Sequence, residues 1–196
     1  MDAKDIKLIH KGEYLSYYEI NYEDNDGNKK TYEMVSKTGS IKNGTPELTL
    51  NTIGDHTDAV VMVVFNTDHN KILVQKEKRL GINRWIYNNP AGLIDPGETV
   101  FEAATRELYE ETGLKLTKIL KQLKPTFTCA PVTDELASLI ICEAEGKITN
   151  SNSIFEETES KWCTKDEVAE LLEQDEVQFS GRTQAIFYMW VYGGVL

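Results

Sequence analysis

The stretch from Gly92 to Leu114 constrains this chain more than any other. Thr99 followed by Glu102 is a capping box, which starts a helix near Val100. Gly113 suits the left-handed position just past a helix end, so the helix stops near Thr112. Val100, Ala104 and Leu108 recur at i, i+4 and i+8 and form an apolar stripe that must face a core. Glu107, Glu110 and Glu111 share another face. Like charges at this spacing cost a helix a few tenths of a kcal/mol each, roughly. They also fall in the last two turns, where the helix dipole favours cations. Two local rules are broken together, and such breaches concentrate at functional sites. A hard divalent cation held by oxygen ligands would remove both conflicts. A solvated acidic face, partly neutralised by Arg106 pairing with Glu110 at i+4, would account for the same residues. Helix physics alone leaves both readings open.

The surrounding chain narrows the class. It has 196 residues, with 21 Lys plus Arg against 32 Asp plus Glu and a formal net charge of −11. That balance lacks the basic footprint needed to hold a nucleic-acid polymer or an anionic membrane surface. No apolar run approaches the roughly 20 residues of a bilayer span. The opening residues Met1-Asp2-Ala3-Lys4-Asp5 carry no apolar signal region, so the expected location is cytoplasmic. Cys129, Cys142 and Cys163 lie too far apart for a zinc pair or a disulfide framework.

The element pattern predicts two parts. Residues 1–52 read as a small β unit, with strands over Tyr14–Tyr22 and Lys30–Lys37 around the turn Glu23-Asp24-Asn25-Asp26-Gly27-Asn28. Two strands bury little by themselves, so this unit must dock on the main domain or on a second chain. Residues 53–196 read as the main domain. Ala59–Phe65 is an apolar run suited to a strand covered on both faces. Further strands are expected at Lys71–Gln75, Arg84–Tyr87, Ile119–Phe127, Leu136–Cys142 and Glu159–Cys163. Thr164 with Glu167 caps a helix to about Glu173, and Ser180-Gly181 opens a last helix to about Tyr192. Strands and helices mix without a strict alternation, which predicts an α/β or α+β fold with a mixed sheet.

The full spacing from Gly92 through Glu98, Arg106-Glu107, Leu108, Glu110-Glu111 and Gly113 to Leu114 resembles the Nudix box at every fixed position. The resemblance implies an α/β/α sandwich that hydrolyses a nucleoside diphosphate linked to another moiety, using Mg²⁺ or Mn²⁺. It makes Glu107 and Glu111 metal ligands, and Glu110 a third ligand or the base for water. Arg106 becomes the partner that positions the acidic cluster, with Glu98 pairing to it.

Pro90-Ala91-Gly92-Leu93-Ile94-Asp95 resembles the ADP-ribose pyrophosphatase-like subgroup, in which the Ala91 carbonyl is a further metal ligand. The same likeness sets Arg79 against the substrate's phosphates, Tyr14 and Tyr32 against the base, and Lys37 near the substrate. It implies a homodimer in which the N-terminal hairpin completes the site. Glu156, in the acidic stretch 153–159, aligns with a glutamate that activates water. Two segments depart from the subgroup: Asn88-Asn89 where Glu and an apolar residue are usual, and Ala130-Pro131 where Pro-Gly is usual. The expected reaction is Mg²⁺-dependent cleavage of ADP-ribose or a similar nucleoside diphosphate sugar. GDP-mannose, FAD or another nucleoside diphosphate derivative is the alternative substrate. A ligand sensor on the same fold is the non-enzyme alternative.

Overall fold

The computed structural model describes residues 1–149 and 157–193. The chain divides into two compact units. The first comprises Met1–Ala59 with Pro125–Ala137, and the second comprises Val60–Lys124 with Ser138–Leu196.

The first unit is built on a three-stranded antiparallel sheet in the order β1 (Asp2–Lys11), β2 (Ser16–Glu23), β3 (Lys29–Ser36). The β2–β3 hairpin forms as its turn chemistry requires. Asp24 Oδ1 accepts from the backbone N–H of Asp26 and Asn28, both at 2.9 Å, and Gly27 takes φ +80°. Strand β1 was not expected from the sequence. Most of its residues are exposed, and only Ile6 and Leu8 alternate towards the core, too short a signature to mark a strand of this length; its ladder to β2 defines it. Tyr14 lies just outside β2. Tyr18, Ile20, Met34 and Leu48 are the buried centre of this unit. Tyr18 is fully buried, and its hydroxyl donates to the Thr38 carbonyl at 3.0 Å.

The second unit is the α/β/α sandwich expected from the sequence, around a mixed sheet. The path of that sheet is β11 (Thr158–Cys163), β5 (Ile72–Arg79), β4 (Ala59–Phe65), β10 (Leu136–Glu145), β8 (Lys115–Gln122). Strand β6 (Arg84–Asn88) pairs with β5 and β7 (Ala91–Leu93) with β4, while β9 (Thr126–Phe127), which falls in the first unit, pairs with Leu136 and Ala137 at the start of β10. Every residue of β4 is buried, because helices cover both sides. On one side Val60, Met62 and Val64 pack with Ala103, Ala104 and Leu108 of α1 (Val100–Thr112). On the other, Val63 and Phe65 pack with Val168 and Leu171 of α2 (Lys165–Leu172) and with Ile186, Phe187 and Trp190 of α3 (Gly181–Tyr192). Each large aliphatic side chain removed from water contributes about 1.5–3 kcal/mol. This double burial is the largest force holding the sheet.

Strand β8 starts four residues earlier than the sequence suggested and ends at Gln122. Pro125 has no N–H to give the ladder, and pairing resumes only in the two-residue β9.

Candidate active site

The acidic helix forms as its caps dictate. Thr99 Oγ1 accepts from the Glu102 N–H at 3.2 Å, and the Glu102 carboxylate accepts from the Thr99 N–H at 2.8 Å. Gly113 takes φ +71°, and its N–H closes the helix on the Tyr109 carbonyl at 2.8 Å. Leu108 is fully buried, which fixes the rotation of α1 and therefore where Glu107, Glu110 and Glu111 point.

Arg106 organises the cluster. Its Nε and Nη2 donate to the two carboxylate oxygens of Glu98 at 2.8 and 2.7 Å, a bidentate clamp. Nη2 also donates to the Leu93 carbonyl at 2.9 Å. Nη1 donates to Glu107 at 2.8 Å and to Glu110 at 3.3 Å. The guanidinium holds the Glu98 carboxyl down at about 2, helped by the Asp95 N–H, and the carboxylates in turn push Arg106 up. The sequence expectation of a Glu98–Arg106 pair and the i+4 contact to Glu110 are both present in this geometry.

Glu111 is buried, and its Oε2 accepts from Gln75 Nε2 of β5 at 3.2 Å. Gln75 is itself fully buried, and its Oε1 has no hydrogen-bond partner among the described residues. Sequence reasoning missed Gln75, which follows the apolar run Ile72-Leu73-Val74 and precedes the charged Lys76-Glu77-Lys78-Arg79, so nothing in its position marks it as buried. Gly92 of β7 lies directly against Glu107, and a Cβ there would fall on the Glu107 carboxylate. Ala91 precedes it and is half-buried.

Among the described residues no three His, Cys, Asp or Glu side chains converge as a ready cation cage. Arg106 bridges Glu107 and Glu110 instead. The donor chemistry nonetheless suits a hard divalent cation. The available groups are all oxygens, two of the three carboxylates are largely shielded, and an orphaned amide oxygen sits beside Glu111.

The other expected site residues fall in two places. Arg79 ends β5 in the second unit, and its Nε pairs with the Glu77 carboxylate. Tyr14, Tyr32 and Lys37 belong to the first unit. Tyr14 is exposed, with Lys42 Nζ donating to its hydroxyl at 2.9 Å and lying 4.8 Å from its ring centre. The Tyr32 hydroxyl donates to the Pro131 carbonyl at 2.8 Å. Its ring helps line a concavity of about 280 Å³ with Tyr22, Met34, Phe127 and Asp134. Lys37 pairs with Glu135. Tyr32 and Lys37 are thus both tied to the 131–135 segment, and Tyr14 is not. Glu156 lies outside the described residues.

The profile of the NUDIX domain family matches residues 55–182. The chain belongs to that family. The chain is 27% identical over 145 residues to the ADP-ribose pyrophosphatase of Saccharomyces cerevisiae, covering 74% of this chain and 59% of that protein. It is 29% identical over 136 residues to the ADP-ribose pyrophosphatase of Bacillus subtilis, covering 68% of this chain and 72% of that protein. The chain spans only about half the length of the first curated relatives it matches, 41% and 59%. The fold is similar to a solved ADP compounds hydrolase, with a TM-score of 0.71 and 17% identity over 98% of this chain and 96% of that one. No helix among the described residues is long and apolar enough to cross a membrane.

Proposed function

We propose that this NUDIX protein hydrolyses the pyrophosphate bond of ADP-ribose or a similar nucleoside diphosphate sugar, giving a nucleoside monophosphate and a sugar phosphate. The observation that carries the reading is the Arg106 clamp, which gathers Glu98, Glu107 and Glu110 on the face of α1 next to buried Glu111. A solvated acidic face would have no use for a buried glutamate or for a glycine that makes room for a neighbouring carboxylate. The relatives named ADP-ribose pyrophosphatase support the choice of substrate class.

When bound, Mg²⁺ or Mn²⁺ would be held by Glu107, Glu110, Glu111 and the Ala91 carbonyl, where it would neutralise phosphate charge and lower the pKa of a water. Arg106, anchored by Glu98, fixes the directions of Glu107 and Glu110. Glu110, whose side chain is the most exposed of the three, steers or accepts the proton of the attacking water. Glu156 is a second candidate for that proton. Arg79 offers its guanidinium to the phosphate oxygens. Tyr14 and Tyr32 offer flat faces to a base, and Lys37 a cation, with the N-terminal unit completing the site in a cytoplasmic homodimer.

The formal charge of −11 would repel a diphosphate from the protein as a whole. In this reading part of the acid excess is the cation site itself, so its local sign reverses on loading. A panel of nucleoside diphosphate derivatives, assayed with and without Mg²⁺, tests the proposal. Release of a nucleoside monophosphate from ADP-ribose, with weaker turnover of GDP-mannose and FAD, is expected. Tight binding of ADP-ribose without turnover would instead favour a ligand sensor.

A further inference from the structure

Arg79 is not a bare surface cation. Its Nε pairs with the Glu77 carboxylate two residues earlier on β5, so both side chains leave the same face of the strand. Glu77 Oε1 also accepts from Asn88 Nδ2 of β6 at 3.0 Å. Asn88 is buried, and its amide has one orientation available, because its Oδ1 accepts from the Ser180 hydroxyl at 2.8 Å. Ser180 is the N-cap of α3, and its Oγ accepts from the Thr183 N–H at 3.3 Å. The neighbouring Asn89 is locked in turn, since the Thr183 hydroxyl donates to its Oδ1 at 2.7 Å. A continuous chain of contacts therefore runs from the start of α3 through Asn88 and Glu77 to the guanidinium. Among the described residues, the terminal amino groups of Arg79 make no hydrogen bond.

We propose that Glu77 and Asn88 are positioning residues for Arg79, holding its fork by Nε so that both terminal amino groups face an incoming diphosphate. This rests on the reading of Arg79 as a phosphate-contacting residue. An exposed ion pair between Glu77 and Arg79 would by itself order little, because two long side chains in water resist one geometry. Here the carboxylate side of the pair is largely shielded and is itself held by a buried amide. The ordering cost of the arginine is thereby met before substrate arrives. The chain also explains an asparagine at position 88. Asn88 supplies a donor to Glu77 and an acceptor to Ser180 at once, and a carboxylate at 88 would instead set two negative charges against each other.

The test uses the full chain with Mg²⁺ and ADP-ribose, comparing Arg79→Ala, Asn88→Ala, Glu77→Ala and Glu77→Gln. Arg79→Ala is expected to raise KM at least about tenfold. Asn88→Ala and Glu77→Ala should each raise KM about 3–10-fold with kcat within about twofold, because ordering is lost and not chemistry. Glu77→Gln keeps an oxygen for both donors and should recover most of the wild-type KM. In the Arg79→Ala background, Asn88→Ala should add nothing. An unchanged KM in Asn88→Ala, or an equal rise with and without Arg79, would overturn the positioning role. An unchanged KM in Arg79→Ala alone would instead remove Arg79 from phosphate binding. A readout independent of turnover is the Arg79 Nε–H resonance, assigned by its loss in Arg79→Lys. It should exchange slowly with water in the wild type and rapidly in Asn88→Ala, and slow exchange in both would refute the chain of contacts.

Discussion

Gly92→Ala separates the site from the fold. The added methyl group would land on the Glu107 carboxylate, so one of the two must move. The carboxylate is the end of a flexible side chain, but it accepts from Arg106 Nη1 at 2.8 Å. Displacing it gives up a charge-assisted hydrogen bond, worth about 1.5–3 kcal/mol. The alternative, a shift of β7, costs a comparable 1–3 kcal/mol or so in overpacking. For a chain of this length, either route lowers Tm by about 2–12 °C and leaves a folded protein. Activity should fall far more. A carboxylate moved by about 1 Å from its working position costs on the order of 100-fold in rate. Glu107 would have to move by about that much or more. The assay is kcat for ADP-ribose with saturating Mg²⁺, paired with a thermal melt of the same preparation. A variant that still melts cooperatively, about 2–12 °C below wild type, but turns over at least about 100-fold more slowly fits this expectation. Full turnover in Gly92→Ala would show that the Glu107 carboxylate is not held where the chemistry needs it.

Leu108→Ala removes a fully buried side chain from the core beneath α1 and should cost about 2–5 kcal/mol of unfolding free energy, measured by urea titration. The Glu98 carboxyl is held at about 2, below its ordinary 4.5, by its clamp to Arg106. A lowered carboxyl stabilises the fold above its ordinary pKa and loses that effect as pH falls towards 2. Melts of wild type and Glu98→Gln should therefore differ most at pH 5 and above and converge as pH approaches 2. A difference that grew on acidification would contradict the clamp.

What could be read from the sequence was local. Helix α1 was legible to the residue because Thr99, Glu102 and Gly113 specify their own termini, and Val100, Ala104 and Leu108 specify the buried side. Strand β4 was legible because seven consecutive apolar residues suit double burial and little else. Strand β1 was not, because Asp2–Lys11 is exposed along most of its length and is defined by its partner strand. Pro125–Ala137 groups with the N-terminal residues, and this rests on pairings such as Lys37 with Glu135 that no spacing reveals. In the site, the Glu98–Arg106 clamp followed from position within one motif. The roles of Gln75, Glu77 and Asn88 did not, because a buried amide in a strand has the same one-letter sequence as an exposed one. Their partners lie on other elements, and only the fold brings them together.

The central claim is that the acidic face of α1 supports divalent-dependent hydrolysis of a nucleoside diphosphate. It is tested most directly by release of adenosine monophosphate from ADP-ribose by wild type and Glu111→Gln, with Mg²⁺ and again with excess chelator. The account predicts turnover for wild type with Mg²⁺, at least about 100-fold less for Glu111→Gln, and none for either protein with chelator. Equal turnover by the two proteins, or turnover that survives chelation, would contradict it.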